Sequence, residues 1–223
     1  MTPADSIRID RRLVGAGHDV YVIAEAGVNH NGDENVAIRM VDAAVRSGAD
    51  AIKFQMFSAA ALTTEAVPTA SYQAERTGSS SQREMLAGLE LSLDSLSELA
   101  AYSADRGISF LATPFSDSDV PRLAGMGVAA TKIASTDLVD VALLRAACAV
   151  DLPIILSTGA ADQSEIDRAV GWIDASFGRG RLVLMHCVSA YPTDLDDTNL
   201  GAIKTLRDRF GSIVGFSDHT LGR

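Results

Sequence analysis

Short apolar runs rich in β-branched residues alternate with stretches patterned at helical spacing along most of the chain. The first run is Val20–Ala24. Asp33 follows as a candidate N-cap, and Val36, Met40, Val41, Ala44 and Val45 then repeat at helical spacing up to Gly48, the usual residue just past a helix end. Ala51–Phe54 is the second run. Ser92 caps a second helical stripe of Leu93, Leu96, Leu99 and Ala100, which Gly107 closes. Ile108–Ala112, Thr131–Ala134, Pro153–Leu156, Leu182–Met185 and Ile213–Phe216 complete seven expected strands. Non-alternating strands separated by helices predict a parallel sheet covered by helices.

Two architectures satisfy that pattern, an open doubly wound sheet and a closed barrel. The turn after the first strand, Glu25-Ala26-Gly27-Val28-Asn29-His30-Asn31-Gly32, is not a G-x-G-x-x-G dinucleotide cradle, which weakens the first. Polar residues recur where the strands end: Glu25, Lys53, Thr113, Lys132, Ser157, His186, then Ser217, Asp218 and His219. In a barrel those ends converge on one mouth, where active sites sit. The expected fold is therefore an α/β TIM-type (β/α)8 barrel that lacks its last strand and helices in this chain. Residues 1–19 form an N-terminal capping segment and residues 20–223 the barrel. Seven strands alone leave two unpaired edges, so either the chain is a fragment or something else completes the barrel.

The connection from Met56 to Leu91 is far longer than usual. It carries Ser79-Ser80-Ser81 and an expected short helix near Arg83–Leu89, and reads as a lid or binding loop, with a passive insertion as the alternative.

Composition narrows the function. The 223 residues are 47% hydrophobic, enough for one sizeable core. The net charge of −10 argues against a nucleic-acid partner, although a local lysine cluster still allows an anionic substrate. Nothing resembles a membrane span or an export signal, so the expected location is the cytoplasm. Cys148 and Cys187 then read as reduced thiols, with Cys148 placed in the core.

Lys53 and Lys132 each lie within an apolar strand. A buried lysine needs an anion or a carboxylate. The pair predicts an anion held between them, with barrel salt bridges or a Schiff-base lysine as alternatives. Ser135, Ser157 and Thr158 supply hydroxyls suited to phosphate, and Gly159 would let backbone approach a ligand. Glu25 is placed as a general base, general acid or cation stabiliser, or as the partner of a lysine. His186 and His219 suit a divalent metal or proton transfer, with Asp218 available to orient an imidazole. His30 lies near Glu25 without an assigned role. Asp137 could face the mouth or cap a helix.

The ordered segments Ile23–Gly32, Ala51–Gln55, Ser81–Leu86, Phe110–Phe115, Lys132–Ser135, Ile155–Gly159, Met185–Pro192 and Gly215–Thr220 resemble the bacterial sialic-acid (nonulosonate) synthases, over a stretch from about Tyr21 onward. The resemblance implies an enzyme that condenses phosphoenolpyruvate with an N-acetylated amino sugar, helped by Mn²⁺ or Mg²⁺. It implies that Lys53, Thr113, Lys132, Ser135, Ser157, Ser189, Tyr191 and Ser217 bind phosphoenolpyruvate and that His219 binds the metal. Glu25 would be the catalytic carboxylate. Asp137, at a position that is Glu in many relatives, would act on the sugar, and Gln55 would also touch it. Members of that family continue through an eighth strand to a small domain that covers the partner's site in a homodimer. Related synthases of seven- or eight-carbon sugar acid phosphates, and a non-catalytic barrel piece, are the competing expectations.

Overall fold

The computed structural model describes residues 6–64, 81–176 and 179–221. It opens with a hairpin of β1 (Ser6–Ile9) and β2 (Arg12–Gly15), paired antiparallel around Asp10, whose φ is 50°. Then follow β3 (Ile23–Gly27), α1 (Glu34–Arg46), β4 (Ala51–Met56), α2 (Ala59–Leu62), α3 (Gln82–Ala87), α4 (Leu93–Asp105) and β5 (Ser109–Pro114). The second half comprises α5 (Asp119–Gly125), β6 (Thr131–Ile133), α6 (Val141–Ala149), β7 (Ile154–Ser157), α7 (Gln163–Ser176), β8 (Leu182–Cys187), α8 (Gly201–Phe210) and β9 (Ile213–Ser217).

The strands from β3 to β9 are parallel and neighbour one another in sequence order. β3-β4-β5 and β6-β7-β8-β9 are two ladders. They meet at a seam where the Ala129 amide, just before β6, donates to the Phe110 carbonyl of β5 at 3.2 Å. This is the TIM-type barrel expected, with seven strands among the described residues and with β3 and β9 as its edges.

Period-two alternation divides the side chains. In β4, Ile52, Phe54 and Met56 pack outward with Ala37 and Val41 of α1 and Leu96 and Leu99 of α4. Around the other half, Ile133, Ile154, Leu156, Leu182 and Leu184 pack outward with α6, α7 and α8. Truncating Phe54, which is fully buried, to Ala would cost ~3–5 kcal/mol. Residues between these positions point into the barrel, where Ala51, Leu111, Ala130, Ile155 and Val183 form its lower core. Ile7 and Ile9 of the hairpin join that cluster and close the bottom. The helix starts follow the sequence: Asp33 accepts from the Asn35 and Val36 amides, and Ser92 from the Ser95 amide. Gly48 and Gly107 end their helices at φ 74° and 75°, a conformation other residues avoid. Among the described residues no helix is long and apolar enough to cross a membrane.

Several strands run further toward their C-terminal ends than their apolar runs do. The first is Ile23–Gly27, not 20–24. Val20 is 81% exposed and Val22 51%, so the leading part of that run is apolar but outside the ladder. β5 and β8 continue to Pro114 and Cys187, because polar side chains facing the mouth still belong to hydrogen-bonded strands. Of the long connection, α2 and α3 are described. Ser79 and Ser80 lie outside the described residues, and Ser81 caps α3 by accepting from the Glu84 amide.

Candidate active site

The mouth is built on two lysines. Lys53 rises from the middle of β4, with its ammonium 2.6 Å from Glu25 Oε2 on β3 and donating at 3.3 Å to Thr113 Oγ1 on β5. Lys132, in β6, donates at 2.6 Å to Ser157 Oγ on β7 and at 3.0 Å to the Ile133 carbonyl. Both lysines, Thr113 and Ser157 are buried. Burial, then repulsion from Lys53, brings Lys132 down to about 7, while Cys187, Glu25 and Asp137 pull it the other way. The two lysines therefore face one site. Four neighbouring strands thus carry a floor of two amines and two hydroxyls.

Glu25 stands above this floor, half-exposed. Its Oε1 and the Gln55 amide flank Gly27: a Cβ on Gly27 would lie 3.3 Å from the first and 3.9 Å from the second. The Gly27 φ of 53° gives a second reason for a residue without a side chain.

The rim comes from the loops after β6, β8 and β9. Ser135 and Ser189 place their hydroxyls 3.3 Å apart, bridging the loops after β6 and β8. Asp137 lies in the turn Ser135–Asp137. The helix cap is not Asp137 but Asp140, which accepts from the Ala142 and Leu143 amides. Asp137 Oδ1 accepts from Thr136 at 3.2 Å, and Oδ2 is buried with no partner among the described residues. Burial raises the Asp137 carboxyl above the ordinary carboxylate range, with Asp140 adding to the effect and Lys132 opposing it. It therefore holds its proton to a higher pH than a solvated aspartate.

His219 is fixed from below. Its Nδ1 lies 2.7 Å from the Val188 carbonyl, which assigns the proton to Nδ1 and leaves the Nε2 lone pair toward Ser217 Oγ at 3.3 Å. The Tyr191 ring lies 4.3 Å away, and the Thr193 amide donates to the His219 carbonyl at 2.8 Å, tying the loops after β8 and β9 together. An imidazole in this tautomer suits a metal. The described residues offer no group of three His, Cys, Asp or Glu that could hold one, so the fit extends to one ligand.

Three expectations change. His186 does not reach the mouth: outward alternation puts it between β8 and α8, where Nε2 donates to the Thr198 carbonyl at 2.8 Å and the ring stacks on Phe216. Asp218 does not orient His219; it accepts from the Thr220 amide at 2.9 Å. Gly159 does not open backbone to a ligand. A Cβ there would meet Cys187 Sγ at 2.7 Å and its carbonyl at 2.8 Å, so the residue is small to let the chain pass Cys187. The sequence assigned no part to Cys187 or His30. Cys187 is buried at the end of β8 and acts on Lys132 electrostatically. His30 is 1% exposed and its Nδ1 accepts from the Gly32 amide at 3.0 Å; only its closeness in sequence to Glu25 hinted at it.

N,N'-diacetyllegionaminic acid synthase of Legionella pneumophila is 42% identical over 212 residues, covering 93% of this chain and 60% of that protein. The protein of the same name from Campylobacter jejuni is 38% identical, over 90% of this chain and 61% of that one. The chain thus spans about 60% of the length of these relatives. Among solved structures, the N-acetylneuraminic acid synthetase of Leptospira borgpetersenii, crystallised with citrate, superposes with a TM-score of 0.84 at 36% identity, over 98% of this chain and 72% of that one. Residues 40–223 match the description of the NeuB family, and the chain belongs to that family.

Proposed function

We propose that the protein is a nonulosonate synthase, condensing phosphoenolpyruvate with an N-acetylated amino sugar and water to give a nine-carbon 2-keto acid and inorganic phosphate. The observation that carries this reading is the floor of two buried lysines with Thr113 and Ser157, beneath a carboxylate held at the mouth. Lys53, Thr113, Lys132 and Ser157 would hold the phosphate and carboxylate of phosphoenolpyruvate, with Ser135, Ser189, Tyr191 and Ser217 closing over it. Gln55 and Asp137 would face the sugar. The methylene carbon bonds to the open-chain aldehyde carbon, and the carbonyl oxygen becomes a hydroxyl. Water adds to the cationic carbon left behind, and phosphate departs. Glu25, next to the floor, would stabilise that cationic carbon and take the proton of the attacking water. Asp137, whose buried Oδ2 has no partner among the described residues, would hydrogen-bond the sugar. His219 would contribute Nε2 to a divalent cation, Mn²⁺ or Mg²⁺, which when bound polarises the aldehyde as a Lewis acid. The protein would act in the cytoplasm as a homodimer, without nucleic-acid or membrane partners.

Similarity to two legionaminate synthases favours a diacetylated trideoxyhexose as acceptor over N-acetylmannosamine. The test is phosphate release from phosphoenolpyruvate with each sugar in the presence of Mn²⁺. Release with the diacetylated sugar at least ~10-fold faster supports both parts of the reading. Equal or faster release with N-acetylmannosamine removes the acceptor assignment, and no release with either removes the synthase. The depressed Lys132 favours a second reading, a Schiff-base aldolase. Borohydride with pyruvate would leave a covalent adduct on that enzyme and none on a synthase.

A further inference from the structure

The two floor lysines differ in how their charge is balanced. Lys53 has a carboxylate, Glu25, at 2.6 Å. Lys132 has only neutral oxygens, Ser157 Oγ at 2.6 Å and the Ile133 carbonyl at 3.0 Å. Those two acceptors satisfy the two hydrogens of a neutral amine. The third hydrogen of an ammonium has no acceptor among the described residues. The groups facing Lys132 are Lys53 from β4, Glu25 from β3, Cys187 from β8, Asp137 from the turn after β6 and Ser157 from β7. Lys53 already engages Glu25, and among the described residues neither Glu25 nor Asp137 makes an ion pair with Lys132. The floor without ligand therefore carries one compensated cation and one buried amine whose charged form lacks a counterion.

We propose that phosphoenolpyruvate enters this site together with a proton, and that Lys132 takes the proton. This rests on the reading of the floor as a phosphoenolpyruvate site and adds the charge state in which it binds. The proton comes from solvent and adds to the Nζ lone pair. The resulting ammonium gains the anion as its missing counterion, and no bond to carbon forms or breaks. The site thus binds the anion with both lysines charged, while avoiding two like charges on its floor beforehand.

The measurement is titration calorimetry of phosphoenolpyruvate into the protein as its gene encodes it, at pH 8, in three buffers of different ionisation enthalpy. At that pH the ligand's own phosphate is fully ionised. The dependence of the apparent enthalpy on buffer counts the protons taken up. With Lys132 near 7, about 0.9 proton per site is expected at pH 8. Lys132→Arg, always charged, should bring the pH 8 count below about 0.2. Lys204→Arg, on the exposed face of α8, should leave it unchanged. Saturable binding at pH 8 with an uptake below about 0.2 overturns the proton coupling but not the site. Absence of saturable binding overturns both. A second readout needs no ligand: the ¹³Cε resonance of Lys132, identified by its loss in Lys132→Arg. A midpoint near pH 7 that phosphoenolpyruvate moves above 9 supports the proposal, and a midpoint above 9 in the free protein sinks it.

Discussion

Two lysines reach one floor from opposite sides of the β5–β6 seam. On the β3–β4–β5 side, Lys53 is held by an ion pair with Glu25 and by Thr113. On the β6–β9 side, Lys132 is held by a hydroxyl and a carbonyl, inside a tighter packing in which Gly159 touches Cys187. The first side spends a carboxylate to keep its cation, and that carboxylate stands at the mouth above the floor. The second leaves its amine unbalanced, so its charge depends on what is bound. A symmetric pair of fully charged lysines would attract an anion more strongly, but would strain the empty barrel by mutual repulsion.

Substitutions on each side break this contrast in different ways. The largest effect is expected for Glu25→Gln. Phosphate release should fall by ~10²–10⁴ if Glu25 serves as the proposed base, while Lys53 loses its counterion and keeps only Thr113. Glu25 is half-exposed, so the accompanying loss of stability should be only ~1 kcal/mol by urea denaturation. Gly159→Ala should cost ~2–3 kcal/mol, since its methyl has to displace the Cys187 carbonyl as well as its sulfur. Adding Cys187→Ala should therefore recover only part of the loss.

Lys132→Met should move in the opposite direction. It abolishes phosphoenolpyruvate binding yet stabilises the fold by ~2 kcal/mol near neutral pH, because a desolvated amine is replaced by a side chain of similar size. The sign follows from proton counts. Lys132 is depressed in the folded state, so between about 7 and its ordinary range the unfolded chain binds more protons. Wild-type stability rises with pH through that window, and its penalty is complete below about 7. The advantage of the variant should accordingly shrink between pH 7 and 10, as denaturation midpoints would reveal. The smallest effects belong to the hydroxyls. Ser157→Ala should weaken phosphoenolpyruvate binding ~10-fold and Thr113→Val ~3-fold, following their 2.6 and 3.3 Å contacts. The reverse order would mean that Lys53, not Lys132, carries the anion.

The sequence exposed more of the floor than of the rim. Lys53 and Lys132 stood out because a charge inside an apolar strand has few innocent explanations, and period-two alternation sends both into the barrel. The strand ends were harder, since Thr113, Cys187 and Ser217 are paired in ladders but belong to no apolar run. Alternation also decides against His186: its neighbour Cys187 takes the inward position, so the imidazole faces α8. Asp137 and Asp140 are equally good caps by composition, and only the backbone angle at each tells which one serves the helix. The hairpin was legible as Ile7 and Ile9 alternating with Arg8, a signal too short to register beside the longer runs that follow.

That hairpin also has a place in time. Ile7 and Ile9 emerge from the ribosome long before Ile155 and Val183, with which they share one cluster. The two isoleucines must wait, apolar and unsheltered, for the later strands of the barrel to be synthesised. A nascent chain halted before β7 should accordingly leave the hairpin open to protease, and one extended past β8 should protect it.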